Sequence, residues 1–76
     1  MKITVSIFLP LPDNQKIRHY PMTLSNGTTV GEVADSFHID DTRVWLYVIN
    51  HHRVLERHEA LSEGDHLMVF PPMEGG

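Results

Sequence analysis

Only one segment of this sequence carries the periodicity of an amphipathic helix, and that limits the fold more than any other feature. Thr29-Val30-Gly31-Glu32 fits a capping box, with Thr29 as N-cap and Glu32 at the third helical position, and Thr28 is an equally good cap. Val30, Val33, Ala34 and Phe37 follow at i, i+3, i+4 and i+7, a single apolar stripe. The helix is expected to end near His38. A helix of about three turns covers one face of a small sheet. The strands must therefore share that one helix, and their other face is left without one.

The strands are read from period-two alternation. Lys2 to Leu9 places Ile3, Val5, Ile7 and Leu9 on one side and Lys2, Thr4, Ser6 and Phe8 on the other. Pro10-Leu11-Pro12-Asp13-Asn14 is turn chemistry, and a second extended stretch runs from about Lys16 to Leu24, giving an antiparallel hairpin with a longer loop. Ser25-Asn26-Gly27 turns the chain into the helix. Val44 to Ile49, rich in β-branched and aromatic residues, is the third strand. Asn50-His51-His52 is a turn, and Arg53-Val54-Leu55 is a short edge strand. Ala60 to Asp65 is a loop that tucks Leu61 inward. His66 to Phe70 closes the sheet, with Leu67 and Val69 opposed to His66, Met68 and Phe70. The order β-β-α-β-β-β implies an α+β domain with a mixed sheet and one packed helix. Its first and last strands should pair at the centre, which is the β-grasp arrangement.

Seventy-six residues make one domain, and a chain this small buries only about 60% of its unfolded surface. There is no cysteine, so neither a disulfide nor a thiolate metal site stabilises it, and it carries no thiol nucleophile. A hydrophobic content of 41% is that of an ordinary globule. No apolar run is long enough to span a bilayer, and Met1-Lys2-Ile3 leads directly into a strand without room for a signal peptide. A cytoplasmic location without membrane contact is expected. The net charge of −4, with six Lys and Arg, shows no basic stripe for nucleic acid.

The end of the chain, Phe70-Pro71-Pro72-Met73-Glu74-Gly75-Gly76, is not explained by folding. Two prolines forbid continuing a central strand. Two glycines add nothing to a core and cost ordering entropy. Residues 1–70 are expected to form the domain and residues 71–76 a flexible tail reaching about 20 Å when extended. Such an arm can thread its terminal carboxylate into a narrow site on another protein, there to be activated as an acyl-adenylate.

The tail and the order of elements together resemble the small ubiquitin-like sulfur carriers: the molybdopterin synthase small subunit (MoaD) and the thiamin sulfur carrier (ThiS). Val48-Ile49-Asn50 resembles the family's strand end before a turn, and Leu61 with Gly64-Asp65 resembles its approach to the final strand. Val69-Phe70-Pro71-Pro72, closing with Gly75-Gly76, is similar to the MoaD ending in particular; Met73-Glu74 departs from it. The resemblance implies a protein that is not an enzyme by itself. An ATP-dependent, ubiquitin-activating-like enzyme would adenylate the Gly76 carboxylate, and sulfide from a persulfide donor would displace AMP to leave a thiocarboxylate. The sulfur would be delivered to a molybdopterin synthase large subunit or another acceptor. Gly76 would carry the reacting group, Gly75 would give clearance, and Pro71-Pro72 would hold the arm off the sheet. No bound cofactor is implied. A thiamin or other sulfur pathway, a ubiquitin-like protein modifier, and an adaptor with an incidental Gly-Gly end are the alternatives.

Two other signals carry less chemistry. His51-His52, His58 and His66 could gather at one end of the sheet, but no spacing matches a metal site and none is expected. Asp40-Asp41 is read as loop solubility, since adjacent acids after a helix are more often solvated than catalytic. The aromatics say more. With Ile3, Val5, Ile7, Leu67 and Val69 toward the helix, Phe8, Met68 and Phe70 fall on the uncovered face, and Trp45 and Tyr47 are expected to join them with Leu46 and Val48 inward. That face, with Pro71, Pro72, Met73, Glu74 and Gly75 beyond it, is the expected partner-binding surface.

Overall fold

A computed structural model describes residues 1–9, 16–39 and 45–71, with the side chains of Leu9 and Lys16 left aside. The turn at Pro10–Asn14, the Asp40-Asp41 pair, Val44 and the end Pro72–Gly76 lie outside the described residues. The elements are β1 (Lys2–Leu9), β2 (Lys16–Thr23), α1 (Val30–Ser36), β3 (Leu46–Ile49), β4 (His52–Arg53) and β5 (His66–Phe70). They form a five-stranded sheet in the order β2-β1-β5-β3-β4. β1 and β5 run parallel at its centre and every other pair is antiparallel. This is the expected β-grasp order.

The helix forms where its capping residues allow. Glu32 N–H donates to Thr29 Oγ1 and Thr29 N–H to Glu32 Oε1, both at 3.2 Å, so the capping box is complete. At the other end His38 takes the left-handed conformation with φ 59°. Ile39 N–H donates to Ala34 carbonyl at 3.1 Å and His38 N–H to Asp35 carbonyl at 3.0 Å, a Schellman stop with histidine in the place glycine usually takes. Val30, Val33 and Ala34 of α1 pack against Ile3, Val5 and Ile7 of β1, Leu67 and Val69 of β5, and Tyr47 and Ile49 of β3. Leu61 turns inward from its loop, 4% exposed.

The loop leading from β4 is tied to the helix. Gly31 N–H donates to Arg57 carbonyl at 2.8 Å, and Arg57 returns a guanidinium hydrogen bond to Gly31 carbonyl at 3.2 Å and pairs with Asp35 at 2.9 Å. A Cβ on Gly31 would sit 3.1 Å from the Arg57 carbonyl oxygen, so the helix carries glycine here for a close approach.

Two expectations are corrected. The edge strand is His52–Arg53 and not Arg53–Leu55, because the turn takes only Asn50 and His51, with φ 46° and 73°. Two consecutive left-handed residues make the tight hairpin that matches strand twist. Val54 thereby falls into the core. The second correction is the phase of β3. Tyr47 is buried on the helix side and Trp45 packs against the core from its edge, while Leu46 and Val48 face away from the helix. Trp45-Leu46-Tyr47-Val48-Ile49 is apolar at every position, so alternation carries no phase. Pairing decides it: Tyr47 lies opposite Val69 and Ile49 opposite Leu67, both inward, and Leu46 and Val48 lie opposite Phe70 and Met68.

Candidate functional site

The uncovered sheet face is built by cross-strand register. One row runs Ile17, Phe8, Phe70, Leu46 across β2, β1, β5 and β3. Phe8 and Phe70 stack with ring centroids 4.3 Å apart and planes 15° apart. Ile17 is 45% exposed and Leu46 37%, so the row presents apolar surface at both ends of the stacked rings. A second row runs His19, Ser6, Met68, Val48, Arg53 across all five strands. Pro21, Thr4 and His66 make the third.

The chain leaves this face at its apolar rim. β5 ends at Phe70, whose ring is fixed by the stack, and Pro71 follows without an N–H for further pairing. Pro71 is half-buried. Pro72, Met73, Glu74, Gly75 and Gly76, which complete the expected site, lie outside the described residues. Of the expected docking residues, Phe8, Met68 and Phe70 come together on the open face; Tyr47 and Trp45 do not.

Sequence reading missed the two ends of the apolar row and the polar cluster beneath it. Ser6, 1% exposed, sits between two imidazoles, with His19 Nδ1 at 2.7 Å and His66 Nε2 at 2.6 Å from its Oγ. A hydroxyl has one proton, so it can donate to one ring only, and the other ring must present an N–H to it. The cluster therefore ties β2, β1 and β5 together. Alternation placed Ser6 and His66 on this face; His19 and Ile17 required the β1–β2 register, which the intervening loop conceals. Among the described residues no three His, Cys, Asp or Glu side chains come close enough to hold a metal ion.

The resemblance in the last third of the chain has a structural basis. His66 N–H donates to Asn50 Oδ1 at 2.9 Å, Asn50 N–H to His66 carbonyl at 3.1 Å, and Asn50 Nδ2 to Asp65 Oδ1 at 2.9 Å. Asp65 Oδ2 also accepts Ser62 N–H at 2.7 Å. Gly64, at φ 82°, donates its N–H to Lys2 carbonyl at 2.7 Å. Asn50 and Gly64-Asp65 thus set where β5 enters between β1 and β3, and so where the tail emerges.

Comparison with known proteins agrees with this geometry. The chain is similar over its full length to SAMP1 from Haloferax volcanii, at 22% identity and a TM-score of 0.72, with all of both chains covered. It is similar at 18% identity and a TM-score of 0.64, again over all of both chains, to a chain in the protein–protein complex of subunits 1 and 2 of the molybdopterin-converting factor from Helicobacter pylori 26695. Identities this low establish a shared fold. No curated protein matches the sequence. Among the described residues no helix is long and apolar enough to cross a membrane. The model of the ThiS family matches residues 14–76, most of the chain and all of the Gly-Gly end. The chain therefore belongs to the ThiS family of small ubiquitin-like carriers and has its β-grasp fold.

Proposed function

We propose that this protein is a sulfur carrier whose Gly76 carboxylate is adenylated and then converted to a thiocarboxylate for sulfur transfer in the biosynthesis of molybdopterin. The observation that carries the reading is the exit of the chain. A central strand ends at a stacked aromatic, a proline breaks the ladder, and the remaining residues begin at the rim of an exposed apolar row. Such a face holds a partner while the arm probes its active site. Family membership supports the carrier role, and the Val69-Phe70-Pro71-Pro72 ending supports molybdopterin over thiamin.

The chemistry follows from the weakness of a carboxylate as an electrophile. An ATP-dependent adenylating enzyme of the ubiquitin-activating kind joins the Gly76 carboxylate to AMP with release of pyrophosphate. The outer sulfur of a persulfide donor then displaces AMP to give an acyl disulfide. A second thiol reduces that S–S bond, leaving the thiocarboxylate on Gly76 and a disulfide between the donor sulfur and the thiol. The acceptor is the large subunit of a molybdopterin-synthase-like complex. The catalytic groups belong to these partners, and the carrier acts in the cytoplasm, where ATP is supplied. It is not an enzyme alone and holds no cofactor.

Intact mass of the protein incubated with its adenylating enzyme, ATP, a persulfide donor and a thiol reductant tests the reading. The expected result is replacement of one oxygen by sulfur, abolished by deleting Gly76 or by adding one residue after it, with the fold retained. A C-terminally extended variant that still takes up sulfur at full rate overturns it. Ligation to lysine side chains of other proteins, without thiocarboxylate, would instead make the protein a modifier.

A further inference from the structure

The acidic residues of this protein, unlike its cations, are sorted between its two sides: Arg18, opposite inward Ile7, and Arg57, paired with Asp35, lie on the helix side with most of the carboxylates. None of the six acidic residues among the described residues occupies a strand position on the open face. Glu32 and Asp35 lie on α1, Glu56 and Glu59 lie in the loop hydrogen-bonded to it, and all four are exposed. Glu63 and Asp65 sit in the bend before β5, where they accept Lys2 N–H at 3.0 Å and Ser62 N–H at 2.7 Å. The open face itself carries Arg53 at the β4 edge, Lys2 at the end remote from the tail, and the imidazoles of His19 and His66. Arg53 is exposed and has no carboxylate partner among the described residues.

From this sorting we infer that the adenylating enzyme docks on the open face with acidic side chains opposite Arg53, flanking an apolar centre that receives the Phe8–Phe70 stack. The inference rests on the docking reading above and adds the partner's chemistry to it. The apolar row supplies contact area, and it is the same for any apolar partner. Arg53 stands at the far end of the second row from His19, so a partner carboxylate there would fix which way round the two proteins meet. That orientation decides where the tail enters. Opposed charge also suppresses wrong partners and raises the rate of encounter. The acidic helix side would repel the same partner surface, which steers it to the open face.

The test measures affinity for the purified ubiquitin-activating-like adenylating enzyme of the same organism across a salt series. Four carriers are compared: wild type, Arg53→Glu, Glu59→Lys and Phe8→Ala. Arg53→Glu is expected to weaken binding at least about tenfold at low salt, the cost of a like-charge contact. The difference should shrink toward 1 M salt, where screening acts over about 3 Å. Glu59→Lys, in the exposed loop on the helix side, should bind within about twofold of wild type or tighter. Arg53→Glu should melt with wild type, because its side chain is exposed on a two-residue edge strand. If Phe8→Ala binds weakly while Arg53→Glu binds like wild type at every salt concentration, the docking face stands and the acidic partner is refuted. If neither variant changes affinity, docking on this face is refuted, and this inference with it.

Discussion

Replacing Phe8 by alanine tests both the stability of the open face and its use. Alternation alone makes Phe8 an exposed ring whose removal costs little. The structure changes that expectation, because Phe8 is half-buried and stacked on Phe70. Fully burying a phenylalanine stabilises by about 1.5–3 kcal/mol, so half-burial contributes about 0.8–1.5 kcal/mol. The stacked pair adds about 0.5–1.5 kcal/mol beyond area. Phe8→Ala should therefore destabilise by about 1.3–3 kcal/mol, and at about 4–8 °C per kcal/mol for a domain of this size the melting point should fall by roughly 5–24 °C. Phe8→Leu keeps most of the apolar area and loses the ring face, so it should cost only about 0.5–1.5 kcal/mol. Leu67, fully buried between the sheet and the helix, is the core reference, at about 2–5 kcal/mol for truncation to alanine. Thermal melts of the three variants by circular dichroism give the order. The same Phe8→Ala protein, assayed well below its melting point, should bind its adenylating enzyme about ten- to a hundredfold more weakly. A melt within about 2 °C of wild type would mean that the stack is not formed in solution. A loss larger than that of Leu67→Ala would mean that Phe8 is core and that Ile3, Val5 and Ile7 line the outer face.

Three further outcomes are expected. Gly31→Ala should be nearly neutral, since a gain of about 1 kcal/mol in helix propensity is set against a Cβ placed 3.1 Å from the Arg57 carbonyl oxygen. Gly31→Val should cost about 1–3 kcal/mol by overpacking; equal melts for the two would show that the Arg57 loop does not press on the helix. Ser6→Ala should cost about 1–3 kcal/mol by stranding the His66 ring at a half-buried site, and should change the nitrogen chemical shifts of both His19 and His66. Unchanged shifts would show that the shared hydroxyl is not their partner. Incubation with zinc, followed by desalting and elemental analysis, should leave much less than one ion per chain; one tightly retained ion would revive a histidine site.

The sequence by itself determined the elements whose signals are local. The Thr29–Glu32 capping box, the stripe from Val30 to Ala34 and the one-sided alternation of β1 and β5 each depend on residues a few positions apart. Together they specify one helix on one face of the sheet, and the Gly-Gly end is likewise a local feature. Only the tertiary structure decided the phase of β3, the membership of Ile17, Leu46 and Arg53 in the open face, and the meeting of His19, Ser6 and His66. The turn also depended on it, because Asn50 is held to the bend before β5 by hydrogen bonds that close over 15 and 16 residues of chain. The reason is the same in each case. A strand that is apolar on both sides has no preferred face until a neighbour's register imposes one, and register is a relation between residues distant in sequence. Tyr47 is inward because Val69 opposite it is inward.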